Sequence, residues 1–266
     1  MPSPRGFGIA VSVDESVIAP TAQRAEELGY ASFWTNNSPG SDGLQVLRIA
    51  GNATSKLNLG VGVIPVLRHP ADEVVQRAGK GTDQELPLDR LLLGVGTSGK
   101  GALQAARENV EKLRQELGCK VYLAALGPKM CRLAGEVADG VLFNWLTPEY
   151  AQKSADIVRE GAASAGRPAP RIMTYVRVSL REDGLGKLKK EAARYESIPQ
   201  YAAHFERMGV GGVDASIAAN DASEIQERLN AWDGVLDEIV VRSITPNDSK
   251  EELIELVEAA APAAAN

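Results

Sequence analysis

Short apolar runs alternate with amphipathic segments along nearly the whole chain. Each run is long enough for one strand buried on both faces. Each is followed by a segment that carries apolar residues at helical spacing. The eight predicted strands are residues 7–12, 30–35, 57–64, 90–96, 121–126, 141–145, 171–180 and 237–244.

The polar segments between these runs contain helix start and stop signals. Asp42 can cap a helix that contains Leu44 and Leu47, and glycines or prolines end or begin the others. The remaining predicted helices are residues 20–28, 71–78, 102–117, 128–138, 148–165, 188–208 with a break near Pro199, 223–232 and 249–259. Eight strands, each followed by a helix, predict a single (β/α)8 TIM barrel domain spanning residues 1–266. A doubly wound open sheet is the alternative fold, although it usually has fewer strands.

The stretch from Val121 to Trp145 shows the strand–helix–strand pattern most clearly. Gly127-Pro128 stops its first strand, and proline fits the first helical position because the missing N–H is not needed there. The start of this helix could hold a small anion. A Gly-Pro turn without a ligand is the alternative interpretation.

Composition narrows the classes of function. The chain has 44% hydrophobic and 24% charged residues and a net charge of −6, which argues against nucleic acid and anionic membranes as partners. Cys119 and Cys131 lie among apolar neighbours, which favours buried thiols over a disulfide. Only two histidines are present, which leaves little room for a metal site. We see neither a signal peptide nor an apolar run near ~20 residues, and therefore expect a cytoplasmic protein.

Ligands of a (β/α)8 barrel bind where its strands end at their carboxyl termini. Here those positions carry glycines, amides and hydroxyls, with no carboxylate pair and no nucleophile–base couple; His69 is the nearest acid–base group, and we expect it to cap the turn of the following helix. Such a surface suits a flat organic cofactor that brings its own reactivity. The predicted rim positions are Ser12, residues 34–37, residues 62–64, Thr97, Ser98, residues 125–129, Asn144, Trp145, Arg242 and Ser243.

Five segments in order along the chain resemble the luciferase-like monooxygenase superfamily, in particular its branch that uses the deazaflavin coenzyme F420. They are AQRAEELGYASFWT (22–35), LGVGVIPVLRHPA (59–71), LPLDRLLLGVGTSG (86–99), VYLAALGPKMCRLAGEVADGVLFNWLTPE (121–149) and DEIVVRSITPNDS (237–249). The second and third of these each contain a GxG fragment, which would be weak evidence alone. The ordered set, which extends over most of the chain, is much more specific.

The resemblance implies an F420-dependent oxidoreductase that transfers hydride to or from a small organic substrate, and it implies a homodimer. It implies that the Gly62–Val63 peptide bond is cis and forms a bulge behind the cofactor ring. It also implies that residues 127–129 hold the cofactor phosphate and that Trp34, Asn36 and Asn37 lie over or beside the ring. The full set of implied cofactor-binding residues is Trp34, Asn36, Gly62, Val63, Thr97, Ala125, Leu126, Gly127, Pro128, Lys129 and Asn144. No catalytic residue is assigned.

Two departures from the family pattern keep alternatives open. Many relatives carry an acidic residue after the second strand, where this chain has Asn36-Asn37. The segment between the fourth strand and its helix is also short, which predicts an open pocket, or one closed by a partner subunit. The alternatives are an FMN-dependent monooxygenase and a paralogue that binds a flavin-like ligand without catalysis.

Overall fold

A computed structural model describes residues 3–263, and these residues form a barrel of parallel strands surrounded by helices. The strands are β1 (Arg5–Ile9), β2 (Ser32–Thr35), β3 (Asn58–Pro65), β4 (Leu91–Gly96), β5 (Lys120–Ala124), β6 (Gly140–Asn144), β7 (Arg171–Leu180), β8 (Ile217–Ala219) and β9 (Glu238–Ser243). The helices are α1 (Glu15–Glu27), α2 (Gly43–Ala53), α3 (Ala71–Ala78), α4 (Ala102–Leu117), α5 (Pro128–Val137), α6 (Pro148–Ser164), α7 (Arg181–Glu196), α8 (Pro199–Met208), α9 (Ala222–Asn230) and α10 (Lys250–Ala259).

Eight of the strands form a closed ring. The sheet runs in sequence order from β1 to β7, and β9 then pairs with both β7 and β1. The short β8 pairs only with the carboxyl end of β7 and lies outside the ring. The predicted (β/α)8 barrel is confirmed, and its eight strands are the eight apolar runs.

Two helices begin earlier than the sequence pattern predicts, and one strand was not predicted. Helix α1 starts at Glu15 because the Asp14 side chain accepts the N–H of Ser16, so Pro20 lies inside the helix. Helix α7 starts directly after β7, with two acidic residues in its first turn that match the helix dipole. Its Gly184 resembles a turn signal, but an added Cβ would lie 2.9 Å from the carbonyl oxygen of Ile244. Strand β8 has only three residues, too few to produce an apolar run.

Glycines and aromatic rings fill the barrel interior in pairs on neighbouring strands. Trp34 of β2 lies beside Gly60 of β3, and a Cβ on that glycine would fall 2.1 Å from the indole. Tyr122 of β5 lies beside Gly140 of β6, where an added Cβ would fall 2.0 Å from the phenol ring. Each ring therefore uses the space that the missing side chain leaves, and the interior is packed without a central pore.

The first strand is joined to the last helix by a buried arginine. Arg5 donates hydrogen bonds to the backbone oxygens of Ala260 and Ala261 and to the amide oxygen of Gln226, the last at 2.7 Å. Its guanidinium thereby satisfies carbonyls at the end of α10, which have no partner within the helix. Among residues 3–263, no helix combines the length and apolar character that a membrane crossing requires.

The pairing of Gly60 with Trp34 leads to a stability prediction. Gly60→Ala should lower the free energy of unfolding by about 1–3 kcal/mol, because the new methyl group overpacks the barrel interior. Gly186→Ala is the matched control, since Gly186 lies in helix α7 with nothing within 4 Å of an added Cβ. It should raise stability by up to about 1 kcal/mol through helix propensity. Denaturant unfolding of both variants checks the pair, and equal effects would contradict the packing argument.

Candidate active site

Polar side chains lie at the barrel mouth, above the packed interior. The apolar cluster inside the barrel includes Trp34 of β2, Leu142 of β6, Tyr175 of β7 and Val240 of β9. Side chains on one face of a strand recur at every second residue, so the residues two positions further on also face the barrel axis. These residues are Asn36, Asn144, Arg177 and Arg242. The mouth is therefore lined by two amides and two guanidinium groups.

Arg177 is the most strongly held of these groups. Its Nε donates to Glu191 of α7 at 2.7 Å, its Nη1 donates to the Oδ1 of Asn144 at 2.7 Å, and its Cζ lies 3.5 Å from the centre of the Trp145 ring. The Asn144 amide in turn donates to the hydroxyl of Tyr201 on α8 at 3.0 Å. One buried cation thus joins β6 and β7 to the two helices that lie over this side of the mouth.

The charged side chains at the mouth are net positive, because Arg177 and Arg242 are accompanied by one carboxylate, Glu191. Burial alone would raise the pKa of Glu191, but Arg177 and Arg242 outweigh that effect, so its pKa is below the usual value and the group is an anion. Glu191 makes its ion pair with Arg177. Arg242 makes no ion pair among the described residues, and its side chain is only partly buried. The mouth can therefore attract a negatively charged group.

The two asparagines after β2 hold the backbone in place. Asn36 accepts the N–H of Val11 at 3.1 Å, which ties β2 to the end of β1. Asn37 accepts the N–H of Gly43 at 3.1 Å and a donor from Arg77 at 3.2 Å, so it fixes the start of α2. Neither offers a carboxylate, as the sequence shows. Only Asn36 belongs to the layer of residues that faces the barrel axis.

Trp34 is not part of the mouth surface. Its side chain is fully buried, makes edge contacts with Tyr122 and Tyr175, and donates its indole N–H to Ser32. The prediction that Trp34 lies over or beside a bound ring is corrected by this placement. The sequence could not distinguish the two roles, because the indole is on the inward face of β2 in either case.

Strand β3 bulges at the mouth. The peptide bond between Gly62 and Val63 is cis, as the resemblance implies, and the pairing of β3 with β4 shifts register between Val61 and Ile64. A Cβ on Gly94 would lie 2.2 Å from the carbonyl oxygen of Val61, so β4 has a glycine where the bulge approaches it. Gly62 and Val63 keep partial exposure and form an accessible wall.

The turn between β5 and α5 is open and partly cationic. The N-cap residue Gly127 has no side chain to cap α5, which leaves the first turn free for water or an anion. The nearest atom to an added Cβ on Gly127 is Nη2 of Arg207, at 3.8 Å. Ala125 is buried, and Leu126 is partly buried. Pro128 and Lys129 are exposed and line a groove on the outside of the barrel, beside the mouth.

Other candidate groups offer little acid–base chemistry. His69 lies just before α3 and contacts the carboxylate of Glu73 in its first turn, with Nδ1 2.7 Å from Oε1. The expectation that His69 caps this helix is not met, because Pro70 is the N-cap residue and no side chain caps α3. Burial lowers the pKa of His204, whose Nε2 donates to the carbonyl oxygen of Trp145 at 2.8 Å. Burial raises the pKa of the Cys119 and Cys131 thiols to about 12, so neither is a thiolate. Among residues 3–263, no three histidine, cysteine or acidic side chains are grouped closely enough for a metal ion.

The hydroxyl of Thr97, at the rim of the barrel, is a further candidate group for binding a ligand. This hydroxyl directly follows β4, is buried, and has no hydrogen-bond partner in the part of the chain that the structure describes. A buried hydroxyl without a partner is unfavourable by about 1–3 kcal/mol, so such a group is a candidate for binding a ligand. Its position at the end of a strand was enough to predict Thr97 as a rim residue.

Arg177, Glu191 and Arg207 were not among the site residues predicted from the sequence. Arg177 could have been found, because it is the one charged residue in the stretch 172–180 of β7. Glu191 and Arg207 lie on helices rich in charged residues, and no pattern separates them from their neighbours.

The Arg177 cluster predicts a large loss of stability on substitution. Arg177→Met should lower the free energy of unfolding by about 3–5 kcal/mol at neutral pH, because it leaves the Glu191 carboxylate, which is only 15% exposed, without its partner. Arg181→Met is the control, since that arginine is exposed and pairs with Glu255 on the surface. It should cost at most about 1 kcal/mol.

The same pair of variants has a pH signature. The depressed pKa of Glu191 contributes stability above its unfolded-state pKa, and this contribution is lost as the pH falls through the folded-state value. The deficit of Arg177→Met relative to wild type should therefore shrink in acid. Thermal unfolding between neutral and acidic pH measures it, and a constant deficit would exclude the ion pair as its cause.

Two known proteins that are similar in sequence are a reductase and a dehydrogenase. A 5,10-methylenetetrahydromethanopterin reductase of Methanolobus tindarius is 25% identical, over 95% of this chain and 90% of its own length. An F420-dependent glucose-6-phosphate dehydrogenase of Mycolicibacterium smegmatis is 35% identical, over 44% of this chain and 35% of its own length.

A solved F420-dependent secondary alcohol dehydrogenase, in complex with an F420–acetone adduct, has the same fold. It superposes with a TM-score of 0.73 at 16% identity and covers 98% of this chain and 99% of its own. The family model for luciferase-like monooxygenases matches residues 16–117 and 103–265. With nearly all of its length matched, the chain belongs to the luciferase-like monooxygenase family.

Proposed function

We propose that this protein is a coenzyme F420-dependent oxidoreductase that transfers hydride between the deazaflavin and a small organic substrate. The observation that carries the proposal is the similarity to F420-linked reductases along nearly the whole chain, joined to a barrel mouth with an accessible bulge and a positive excess. The cofactor, when bound, supplies the carbon that accepts or donates hydride. The protein supplies position, charge and exclusion of water.

Each part of the mouth has a role in this proposal. The wall at Gly62 and Val63 supports the ring from behind. Asn36 and Asn144 present amide groups toward the ring edge, and the free hydroxyl of Thr97 supplies a further hydrogen bond. Trp34 lies beneath this layer and keeps the floor rigid without touching the ring.

The phosphate of the cofactor would bind at the start of α5. Ala125 and Leu126 lead the chain to the rim, and Gly127 lets the phosphate approach the backbone of the first helical turn. Lys129 and Arg207 add positive charge on either side of Gly127. Pro128 fixes the helix start and contributes no N–H of its own.

We assign no proton donor among the side chains of the mouth. Its one carboxylate, Glu191, is held as an anion by Arg177. The unpaired guanidinium of Arg242 can orient an anionic group on the ring or on the substrate. We further propose that the chain acts as one domain, is cytoplasmic and forms a homodimer.

Cofactor titration is the direct test. Purified protein titrated with F420 should quench the deazaflavin fluorescence with saturation, and FMN should bind at least about tenfold more weakly. Both cofactors carry a tricyclic ring and a phosphate, so the comparison of their affinities is informative. Tighter binding of FMN would favour the monooxygenase alternative. Binding of F420 without reduction or oxidation across donors and acceptors would favour a non-catalytic binding protein. If neither cofactor binds, the proposal fails.

Gly127→Leu tests the phosphate position. The backbone of Gly127 is extended, at φ −114° and ψ 161°, and space surrounds its Cα, so the variant should fold like wild type. Its side chain should block the phosphate and weaken F420 binding by about tenfold or more, the value of a charge-assisted hydrogen bond and the helix dipole together. Gly186→Leu, at an open site on α7, is the control and should leave binding unchanged. Unchanged binding by Gly127→Leu would place the phosphate elsewhere.

A further inference from the structure

A groove on the outside of the barrel has no role in the proposed hydride transfer. It lies between α4 and α5 and has a volume of about 480 Å³, within the range of small-molecule sites. We refer to it as the α4–α5 groove. Its lining residues are Leu103, Gln104, Arg107, Pro128, Lys129, Arg132, Leu133, Glu136 and Ile157.

The α4–α5 groove continues directly from the proposed phosphate position. Pro128 and Lys129, the first two residues of α5, line its upper end. Helix α4 also begins at this end, and neither Gly101 nor Gly127 caps its helix with a side chain. A chain attached to a phosphate at Gly127 would therefore enter this groove as it leaves the rim.

The groove is more positive than the protein as a whole. The chain carries a net charge of −6, yet the groove has three cationic side chains and one carboxylate. Arg107 pairs with that carboxylate, Glu136, at 2.6 Å. Arg132 pairs with Glu160 at 3.3 Å, and both side chains are largely exposed, so this contact is weak. Lys129 makes no ion pair within residues 3–263.

The groove also has an apolar surface. Leu103 is 41% exposed, one of only two large hydrophobic side chains among residues 3–263 with such exposure. Leu133 and Ile157 lie beside it. Methylene groups can pack on this surface while carboxylates reach the cations at the edge, a combination that suits an extended acidic chain with aliphatic spacers.

We propose that the α4–α5 groove binds the acidic tail of the cofactor, the chain of γ-linked glutamates that follows the phosphate of F420. This proposal rests on the proposed F420 function and adds a second binding region outside the barrel mouth. Arg132 and Lys129 contact the tail carboxylates, and Leu103 packs against the methylene groups. The groove thus distinguishes cofactors by tail length.

The test compares three ligands that differ only beyond the ring. They are the deazaflavin without phosphate, F420 without glutamates, and F420 with a long glutamate tail, each titrated by fluorescence at low salt. Wild type should bind the long-tailed form at least about fivefold more tightly than the form without glutamates, the value of one exposed ion pair. Added salt should remove this advantage, because exposed charges are screened.

Charge reversal within the groove provides the decisive comparison. Arg132→Glu should abolish the advantage of the long tail while leaving the affinity for F420 without glutamates within about twofold of wild type. Arg159→Glu changes the net charge equally on α6, where Arg159 pairs with Asp156 outside the groove, and should keep the advantage. Circular dichroism confirms that both variants fold.

The outcomes separate the two proposals. If wild type binds both phosphorylated forms equally, or if the two variants behave alike, the groove proposal is overturned while the F420 function stands. If wild type binds none of the three ligands, the proposed function itself fails. Free oligoglutamate that competes as strongly as the attached tail would show an independent acidic-peptide site and would also overturn the proposal.

Discussion

The packing of the barrel interior depends on aromatic rings that fill the space left by glycines on the neighbouring strands. Trp34 and Tyr122 each lie level with a glycine of the next strand, and neither ring would fit beside any larger residue. Because both rings lie below the mouth, they close the axis and leave a solid floor. Within the barrel, a ligand can then contact only the layer above.

That upper layer is held in place by polar contacts together with a small apolar cluster around Trp145, Leu188 and Phe205. Arg177 contributes by stacking on Trp145 and by bonding to Asn144 and Glu191. A guanidinium suits this position better than an ammonium, since it combines a flat stacking face with several donors in one plane. The same cluster fixes α7 over one side of the mouth, whereas only residues 97–101 connect β4 with α4 on the other.

The sequence predicts the fold well because the pattern is strong and local. Strand β7 and helices α3 and α4 have the predicted bounds, and all eight barrel strands were found. The failures have physical causes. Gly184 resembles a turn residue, but close packing of α7 against the barrel requires it. Strand β8 is too short to show a period. Trp34 could face a ligand or the core, and only the packing of β2 against β3 decides between them.

The site was predicted less completely than the fold. Rim positions follow from the topology, so Asn36, Thr97 and Asn144 could be nominated from strand ends alone. The links between them could not, because Glu191 and Tyr201 come from helices whose position over the mouth depends on tertiary contacts. The cis bond at Gly62–Val63 came from resemblance, and no residue pattern predicts it.

The closure of the ring by β9 has a consequence for how the protein matures. Strand β9 pairs with β1 on one side and β7 on the other, so the barrel has two open edges until residues 238–243 have been synthesised. Unpaired edges attract other strands. The amino-terminal strands must therefore remain soluble on the ribosome while most of the chain emerges. Arg5 can bind the carbonyls of Ala260 and Ala261 only once those residues have been synthesised after β9, so this contact joins the two ends of the chain late.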